Sequence, residues 1–397
     1  MSTTAVPQPS TSTPQASTPA LLLALPLLDH EQLQAAFSHL AASLAGLPVL
    51  VAYPGEAEEP LHFPLPTVAV TPSAPVARIP WVHTAAEYLN VHKLLTEYQL
   101  PRCLLLGAEF WTLAPECLRT LVTIAIDSNA DLVLPRYTTS PYDALVNNII
   151  LAPVTRALFS VKAHTPQPLD VVFSARMAER LATVAQRYTA ANQNDALLWP
   201  VGEACSAGFT VQEVPMGTRS FPVPEVTDLT QLLTLVAGSL FTEVEAKATY
   251  WQRARPQAAV AGTAPLTFSE EPPRPDVSTM IETFRIGYQN LSEIWSLVLP
   301  PNSLLGLKKL SVLEQETFFM PDALWVRIVY DFLLAWRLRT INRAHLLGAL
   351  TPLYLAWVAG YILGGKQQAH LEALAAAFDS DKPYLVSRWR WPDRFNP

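Results

Sequence analysis

The chain is short of glycine, positive charge and cysteine. Its 397 residues include 14 glycines against 36 prolines, the reverse of the usual order, so we expect stiff loops and no glycine-rich phosphate cradle. Lys and Arg number 27 against 34 Asp and Glu, a formal net charge of -7, which argues against a nucleic-acid partner. The three cysteines have no paired spacing, which predicts a reducing compartment and a cytoplasmic protein.

Several catalytic motifs are also missing from the sequence. It contains no Walker loop, no G-x-G-x-x-G, no H-E-x-x-H and no C-x-x-C, so the chemistries that depend on them are not expected. Hydrophobic residues make up 50% of the chain and charged residues 15%, which is typical of a folded protein. The length indicates two or three domains. Residues 1–19 have no apolar period and no basic residue, and they predict a disordered tail rather than a signal peptide.

One uncharged run, between Arg343 and Lys366, is long enough on paper to cross a bilayer. Thr351 is a good helix N-cap and Pro352 is favoured at a first helical position, so we expect the run to be split there. The remaining helix, 352–363, is too short to span the hydrocarbon layer. The prediction is a buried helix and no transmembrane span.

The pattern of apolar residues changes along the chain. Strand-like runs at 47–53, 102–106, 131–134 and 209–214 alternate with amphipathic segments, which predicts an α/β domain with a mainly parallel sheet over residues 20–254. A Pro- and Ala-rich stretch predicts a linker at 255–276. Beyond it, apolar residues recur at steps of three and four, so 277–397 is predicted to be an all-helical domain.

Acidic residues stand near several predicted strand ends, where open α/β sheets bind their ligands. They are Asp29, Glu31, Glu109, Asp170 and Asp195. Acids also cap the helices that follow strands, and this alternative is favoured on the spacing alone.

A family resemblance appears at residues 130–159, ADLVLPRYTTSPYDALVNNIILAPVTRALF. This stretch resembles glucosylglycerate and mannosylglycerate synthase-like glycosyltransferases, as do FRIGYQNLSEIW, MPDALWVRIVYDFLLAW and HLLGALTPLYLAWVAGYIL nearer the carboxyl terminus. The resemblance implies a GT-A fold, in which a Rossmann-like nucleotide-sugar domain is followed by a C-terminal all-helical extension. It further implies a nucleotide-diphosphate sugar as ligand and a homodimer or hetero-oligomer formed through the helices.

The same resemblance implies a Mg²⁺ or Mn²⁺ cofactor, held by a D-x-D motif and a histidine. In this chain Gly107, Ala108 and Glu109 follow the strand, so Glu109 is the one remaining carboxylate and the one candidate metal ligand. The position of the histidine falls at Phe221, whose ring ligates no cation. The basic glycine loop near the phosphates aligns with Trp81 and its neighbours.

Other family positions are retained. The resemblance places Tyr142, Asp143 and Asn148 at the ligand site, although Thr139 replaces the acceptor-side arginine. It also implies that Asp195 positions the acceptor hydroxyl.

Two more residues belong to the candidate site. Asp170 of TPQPLDVVFS is a second candidate catalytic acid, although Pro168 and Leu169 replace the family's glycine pair before it. Arg219 is the candidate counter-charge to the diphosphate in place of the metal, because a guanidinium matches phosphate oxygens. A solvated loop cation is the alternative for Arg219, and the sequence alone favours it.

Two functions related to this family stay open from the sequence, and a third, a peripheral membrane protein, rests only on the uncharged run near residue 350 and the apolar segment 20–28. The first is a working glycosyltransferase related to these synthases. The second is a catalytically inactive relative kept as a scaffold or partner-binding subunit, because several separate phosphate- and metal-stabilising features are replaced together.

Overall fold

The computed structural model describes residues 18–28, 30–55, 63–70, 82–193, 195–219, 228–253, 267–269, 273–365 and 367–392. Most of the predicted tail and most of the predicted linker lie outside the described residues, as do Asp29, Trp81 and Phe221.

The α/β part is built on one seven-stranded sheet in the order β3-β2-β1-β4-β6-β5-β7. Every strand pairs in parallel except β6, which is antiparallel to both β4 and β5. The predicted α/β class with a mainly parallel sheet is confirmed. The strands are β1 (Leu21–Ala24), β2 (Val49–Pro54), β3 (Thr67–Val70), β4 (Arg102–Leu105), β5 (Leu132–Thr138), β6 (Val171–Ser174) and β7 (Val211–Thr218).

Helices cover both faces of this sheet, which explains why its central strands are almost continuously apolar. All four residues of β1 are buried, and so are the first five of β2. The helices of this part are α1 (Leu33–Leu44), α2 (Ala85–Glu97), α3 (Pro115–Asp127), α4 (Ala152–Phe159), α5 (Ala175–Ala190) and α6 (Pro200–Ala207). Capping defines where two of them begin: Thr84 and Glu87 form a capping box on α2, and the Ser174 hydroxyl accepts from the backbone of α5.

The predicted C-terminal helical region is also confirmed. Within the predicted range 277–397 it consists of α9 (Ser278–Ser296), α10 (Pro301–Ser311), α11 (Asp322–Leu338), α12 (Arg343–Gly364) and α13 (Gln367–Arg390). Two more helices, α7 (Leu229–Ala246) and α8 (Ala248–Trp251), precede it at the end of the range predicted as the α/β domain. These helices pack directly on the α/β part, since one cluster of buried apolar residues runs through both. Two buried hydrogen bonds join the parts: Trp325 Nε1 donates to Ile149 O at 3.1 Å, and the Tyr361 hydroxyl donates to Pro141 O at 2.9 Å.

The predicted split of the uncharged run is wrong. Helix α12 begins at Arg343, where the Asn342 side chain accepts from the first turn, and it continues through Pro352 to Gly364. Pro352 is tolerated inside the helix because it packs against α9 at Gly287, where an added Cβ would lie 2.8 Å from the proline Cβ. Among the described helices, α12 alone is long and apolar enough to cross a membrane, with a mean hydropathy of 1.7, and 83% of that window is buried inside the protein.

Candidate functional site

The candidate site lies where the order of the sheet reverses. From β1 the chain adds β2 and then β3 on one side, and then β4 on the other. In open α/β sheets the crevice at such a point, at the carboxyl ends of the strands, is the usual ligand site. Because β6 runs antiparallel to β4, with Val171 opposite Leu105, the residue before β6 lies beside the loop that follows β4. That residue is Asp170.

Asp170 is fully buried and surrounded by donors. Its Oδ1 accepts from the Gly107 backbone N–H at 2.8 Å, and its Oδ2 accepts from the Tyr137 hydroxyl at 2.6 Å. Arg219 adds two more hydrogen bonds, from Nε to Oδ2 at 2.7 Å and from Nη2 to Oδ1 at 3.0 Å. These four groups bring β4, β5, β6 and β7 together at one buried carboxylate.

Arg219 follows the last residue of β7, and its side chain is also fully buried. Its Nη2 makes a further hydrogen bond to Ala108 O, at 2.9 Å, so the guanidinium lies against the loop after β4. Its Nη1 is buried and has no hydrogen-bond partner among the described residues. A buried guanidinium donor without a partner is costly, and it marks this position as unusual.

The two charges hold each other ionised. Burial raises the pKa of Asp170, but the charge of Arg219 and the hydrogen bonds from Arg219, Tyr137 and Gly107 outweigh it, and the pKa lies below its ordinary value. Burial lowers the pKa of Arg219, and the Asp170 charge outweighs that effect in turn. Burial beside the carboxylate raises the pKa of Tyr137, so the phenol stays protonated as a donor.

His83 contacts the same region from the start of α2. Its Nε2 lies 2.8 Å from Leu169 O, and since a carbonyl only accepts, Nε2 carries the proton. Burial lowers the pKa of His83 despite the Glu87 carboxylate 3.9 Å away, which favours a neutral ring. His83 Nδ1 is then a buried acceptor without a hydrogen-bond partner among the described residues.

The loop after β4 has no room for a second acid. A Cβ added to Gly107 would lie 2.7 Å from Leu169 O and 2.3 Å from the Leu169 side chain. An aspartate at this position would therefore displace Leu169 from its place against the loop. Glu109 adopts the left-handed backbone conformation, at φ 56°, and its charge helps to raise the pKa of Arg219.

These residues do not fit the divalent cation that the resemblance implies. Hard cations need several oxygen ligands, and the oxygens of the buried acid at this edge, Asp170, are already occupied by a guanidinium, a phenol and an amide. Within the described ranges no three His, Cys, Asp or Glu side chains are grouped so as to hold a metal ion.

The predicted residues on the acceptor side follow β5: Tyr142 and Asp143 lie in the turn, and Asn148 lies in the π-helical segment Asn147–Leu151 just after it. Asp143 is exposed and accepts from the Ser140 backbone N–H at 3.3 Å, and Asn148 donates to the Asp143 carbonyl at 3.4 Å. Tyr142 is half-buried against the apolar core. Their roles in ligand binding stay predictions.

Asp195 lies in the turn between α5 and α6, and it is exposed. Its segment runs beside the start of α2: Leu197 forms an isolated bridge with Thr84, and Ala85 N donates to Ala196 O at 2.9 Å. Asp195 is thus brought to the neighbourhood of His83, while its catalytic role stays a prediction.

Sequence reasoning missed one polar pair outright. Glu213, in the middle of β7, is fully buried and accepts from the His164 backbone N–H at 2.6 Å and from the His164 ring Nδ1 at 2.9 Å. Asn147 Nδ2 donates to His164 O at 2.8 Å, which connects this pair to the π-helical segment that holds Asn148. The available signal was an acid inside the strand-like run FTVQEV, where a buried carboxylate requires a partner.

Comparisons with known proteins give only distant likenesses. No family model and no curated protein matches the chain. A glucosyl-3-phosphoglycerate synthase from Mycobacterium tuberculosis, in complex with Mn²⁺, UDP and glucosyl-3-phosphoglycerate, is 12% identical with a TM-score of 0.35, over 57% of this chain and 80% of that one. A CMP:2-keto-3-deoxy-manno-octonic acid synthetase complexed with CTP is 11% identical with a TM-score of 0.32, over 57% of this chain and 100% of that one. At these TM-scores the likeness carries no argument about function.

Proposed function

We propose that this chain is a glycosyltransferase-like protein whose α/β domain binds a nucleotide-diphosphate sugar, at the carboxyl ends of β1 and β4, without a divalent cation. The observation that carries the proposal is the buried Asp170–Arg219 pair at that edge, with one guanidinium donor left over. The identity of the ligand rests on the resemblance of residues 130–159 and of the C-terminal segments to nucleotide-sugar enzymes.

Arg219 supports the cation-free part of the proposal. A diphosphate needs positive charge beside it, and a guanidinium supplies that charge together with donors that match phosphate oxygens. Arg219 Nη1 has no hydrogen-bond partner among the described residues, and Nη2 of the same guanidinium contacts the loop after β4 at Ala108 O. Because Nη1 is covered, the proposal requires the loop at 107–109 to move when a phosphate oxygen reaches it.

A second candidate, binding without sugar transfer, is favoured by the state of Asp170. A carboxylate has about four lone-pair sites. Here four donors already use them: Gly107 N, Tyr137 Oη and two nitrogens of Arg219. With its pKa lowered as well, Asp170 is a poor proton acceptor. This arrangement suits a scaffold or partner-binding subunit that keeps the ligand site and has lost the chemistry.

Thermal unfolding in the presence of UDP- and GDP-sugars tests the binding proposal, because a ligand of the folded state raises the melting temperature by mass action. We expect one nucleotide class to stabilise the full chain equally in EDTA and in Mn²⁺. Stabilisation by none of these ligands would contradict the proposal. A search for released sugar or nucleotide in the same samples separates the working enzyme from the inactive relative.

A matched pair of variants then tests the predicted role of Asp195. If the chain transfers sugar, Asp195→Asn lowers turnover while donor binding is unchanged, because the exposed carboxylate is assigned to the acceptor. Asp127→Asn, at an equally exposed position at the end of α3, serves as the control. Equal turnover in the two variants would remove Asp195 from the site.

The cytoplasmic location and the oligomer formed through the helices are likewise predictions, and sedimentation velocity tests the oligomer.

A further inference from the structure

A cavity with several polar side chains in its lining lies in the helical region, away from the carboxyl ends of the sheet strands. It has a volume of about 490 Å³ and is bounded by the start of α10, the first half of α11 and the last part of α13. Its polar lining comes from Asn302, Ser303, Arg327, Tyr384 and Arg388. None of its described lining residues is acidic.

Two arginines face this cavity, each held in place from one side. Arg327 forms an ion pair with Asp381 through Nε and Nη2, and its guanidinium stacks on the Tyr384 ring at 3.6 Å. Its Nη1 has no hydrogen bond within the described ranges, and the side chain is 41% exposed. A guanidinium oriented in this way presents a donor and a positive charge to the cavity at little entropic cost.

Arg388 is more deeply buried. Its Nη1 donates to the buried Asp331 at 2.6 Å and to the Tyr384 hydroxyl at 2.7 Å. Tyr384 therefore lies between the two guanidinium groups, contacting one with its ring and the other with its hydroxyl. The paired carboxylates hold the arginines without lining the cavity, so the charged side chains among its described lining residues are both cations.

The opposite wall supplies neutral donors. Ser303 is 4% exposed and lines the cavity, and its hydroxyl makes no hydrogen bond to any residue that the structure describes. Pro300 and Asn302, also in the lining, flank the first residue of α10, so this eleven-residue helix begins at the cavity wall. The amino-terminal end of a helix favours an anion through its free N–H groups and its dipole.

The geometry points to a binding site for a phosphate group in this cavity, held by Arg327, Arg388 and the Ser303 hydroxyl. Phosphate offers several acceptor oxygens, and the lining offers two forked cations and a neutral hydroxyl with no competing acid. The volume exceeds that of phosphate itself, so a phosphorylated small molecule fits the cavity. This inference does not depend on the proposed nucleotide-sugar site.

Calorimetric titration of the full chain with inorganic phosphate, at constant ionic strength set by chloride, tests the inference. We expect saturable binding, weakened by about tenfold or more in Arg327→Gln, because a charged hydrogen-bond donor is removed. Ser303→Ala is expected to weaken binding less, and this small change is a second probe should Arg327→Gln fail to fold. Saturating UDP-glucose is expected to leave phosphate binding intact.

Arg343→Gln is the matched control. Arg343 also pairs with a carboxylate, Glu245, and also stacks on an aromatic ring, that of Trp336 at 4.2 Å, but it does not line the cavity. Equal phosphate affinity in Arg327→Gln and Arg343→Gln would overturn the inference. So would the absence of saturable binding, or complete displacement of phosphate by UDP-glucose, which would locate the anion at the sheet edge instead.

Discussion

Two buried Asp–Arg pairs, one at the edge of the sheet and one in the helical region, behave in opposite ways. Asp170 accepts four hydrogen bonds, two of them from Arg219, and its pKa lies below the ordinary value. Asp331 receives one hydrogen bond from Arg388 and one from a tyrosine, both on Oδ1, while Oδ2 is buried without a hydrogen-bond partner among the described residues. Burial dominates there and raises the pKa of Asp331 to about 6.

Both carboxylates are paired with an arginine, but the one with four donors has a lowered pKa and the one with two donors has a raised pKa. At the sheet edge the donors are complete, and the pair is locked as a rigid structural unit. In the helical region the donors to Asp331 leave Oδ2 without a hydrogen bond among the described residues, and its partner Arg388 lines a cavity. We therefore assign to the first pair a charged carboxylate whose partner Arg219 keeps Nη1 for the proposed diphosphate, and to the second pair a place beside the phosphate cavity.

The largest expected effect comes from breaking the first pair. Arg219→Met leaves a buried Asp170 carboxylate with two neutral donors, and we expect a loss of about 3–5 kcal/mol in the free energy of unfolding. Arg343→Met, which breaks a partly exposed pair, should cost about 1 kcal/mol or less. Urea denaturation measures both. If the two variants lose the same stability, the sheet-edge pair is not the rigid unit described.

The second effect concerns pH. In the folded protein the pKa of Asp331 is about 6, above its ordinary value of 3.8. Between pH 3.8 and pH 6, Asp331 therefore binds more protons in the folded protein than in the unfolded chain. Its contribution to the unfolding free energy is therefore lost as the pH rises from about 4 to about 6.

Asp331→Asn removes this contribution. The stability of the wild type relative to Asp331→Asn should fall across that window, by about 3 kcal/mol at most. Denaturation at a series of pH values checks it, with Asp127→Asn as the control at an exposed carboxyl. A stability difference that is flat or rising over the window would refute the contrast between the two pairs.

A smaller effect is expected from the phenol at the sheet edge. Tyr137→Phe removes one of four donors to Asp170, and a hydrogen bond to a charged group contributes about 2 kcal/mol. Tyr98→Phe changes an exposed tyrosine at the end of α2 and should leave the melting temperature unchanged. Thermal unfolding compares the two. An unchanged melting temperature in Tyr137→Phe would mean that the remaining donors satisfy the Asp170 carboxylate.

Much of the fold could be predicted from the sequence, because a helix or strand that is buried on one face has apolar residues at regular spacing. Helices α9 and α11 follow from the spacing of apolar residues at 281–298 and 324–336, and β2, β4 and β5 from short apolar runs. Strands β1, β3 and β6, of four residues each, escaped prediction, although β4 has the same length and was predicted. The single helix α12 was missed because local proline preference was overruled by packing on α9.

The site was predicted in its parts but not in its arrangement. Asp170 and Arg219 were both candidates, yet nothing local pairs residues that are 49 positions apart. The pairing depends on β6 running antiparallel beside β4 and on β7 ending at the same edge. Tyr137 and His83 joined the cluster for the same reason, as neighbours created by topology.

The most direct test of the central claim is the affinity for UDP-glucose measured by calorimetry in EDTA and again with saturating Mn²⁺, in the wild type and in Glu109→Gln. With the arginine supplying the positive charge, the four dissociation constants should agree within error. Binding that appears only with Mn²⁺ and disappears in Glu109→Gln would contradict the account, because it would place a metal where Arg219 is assigned.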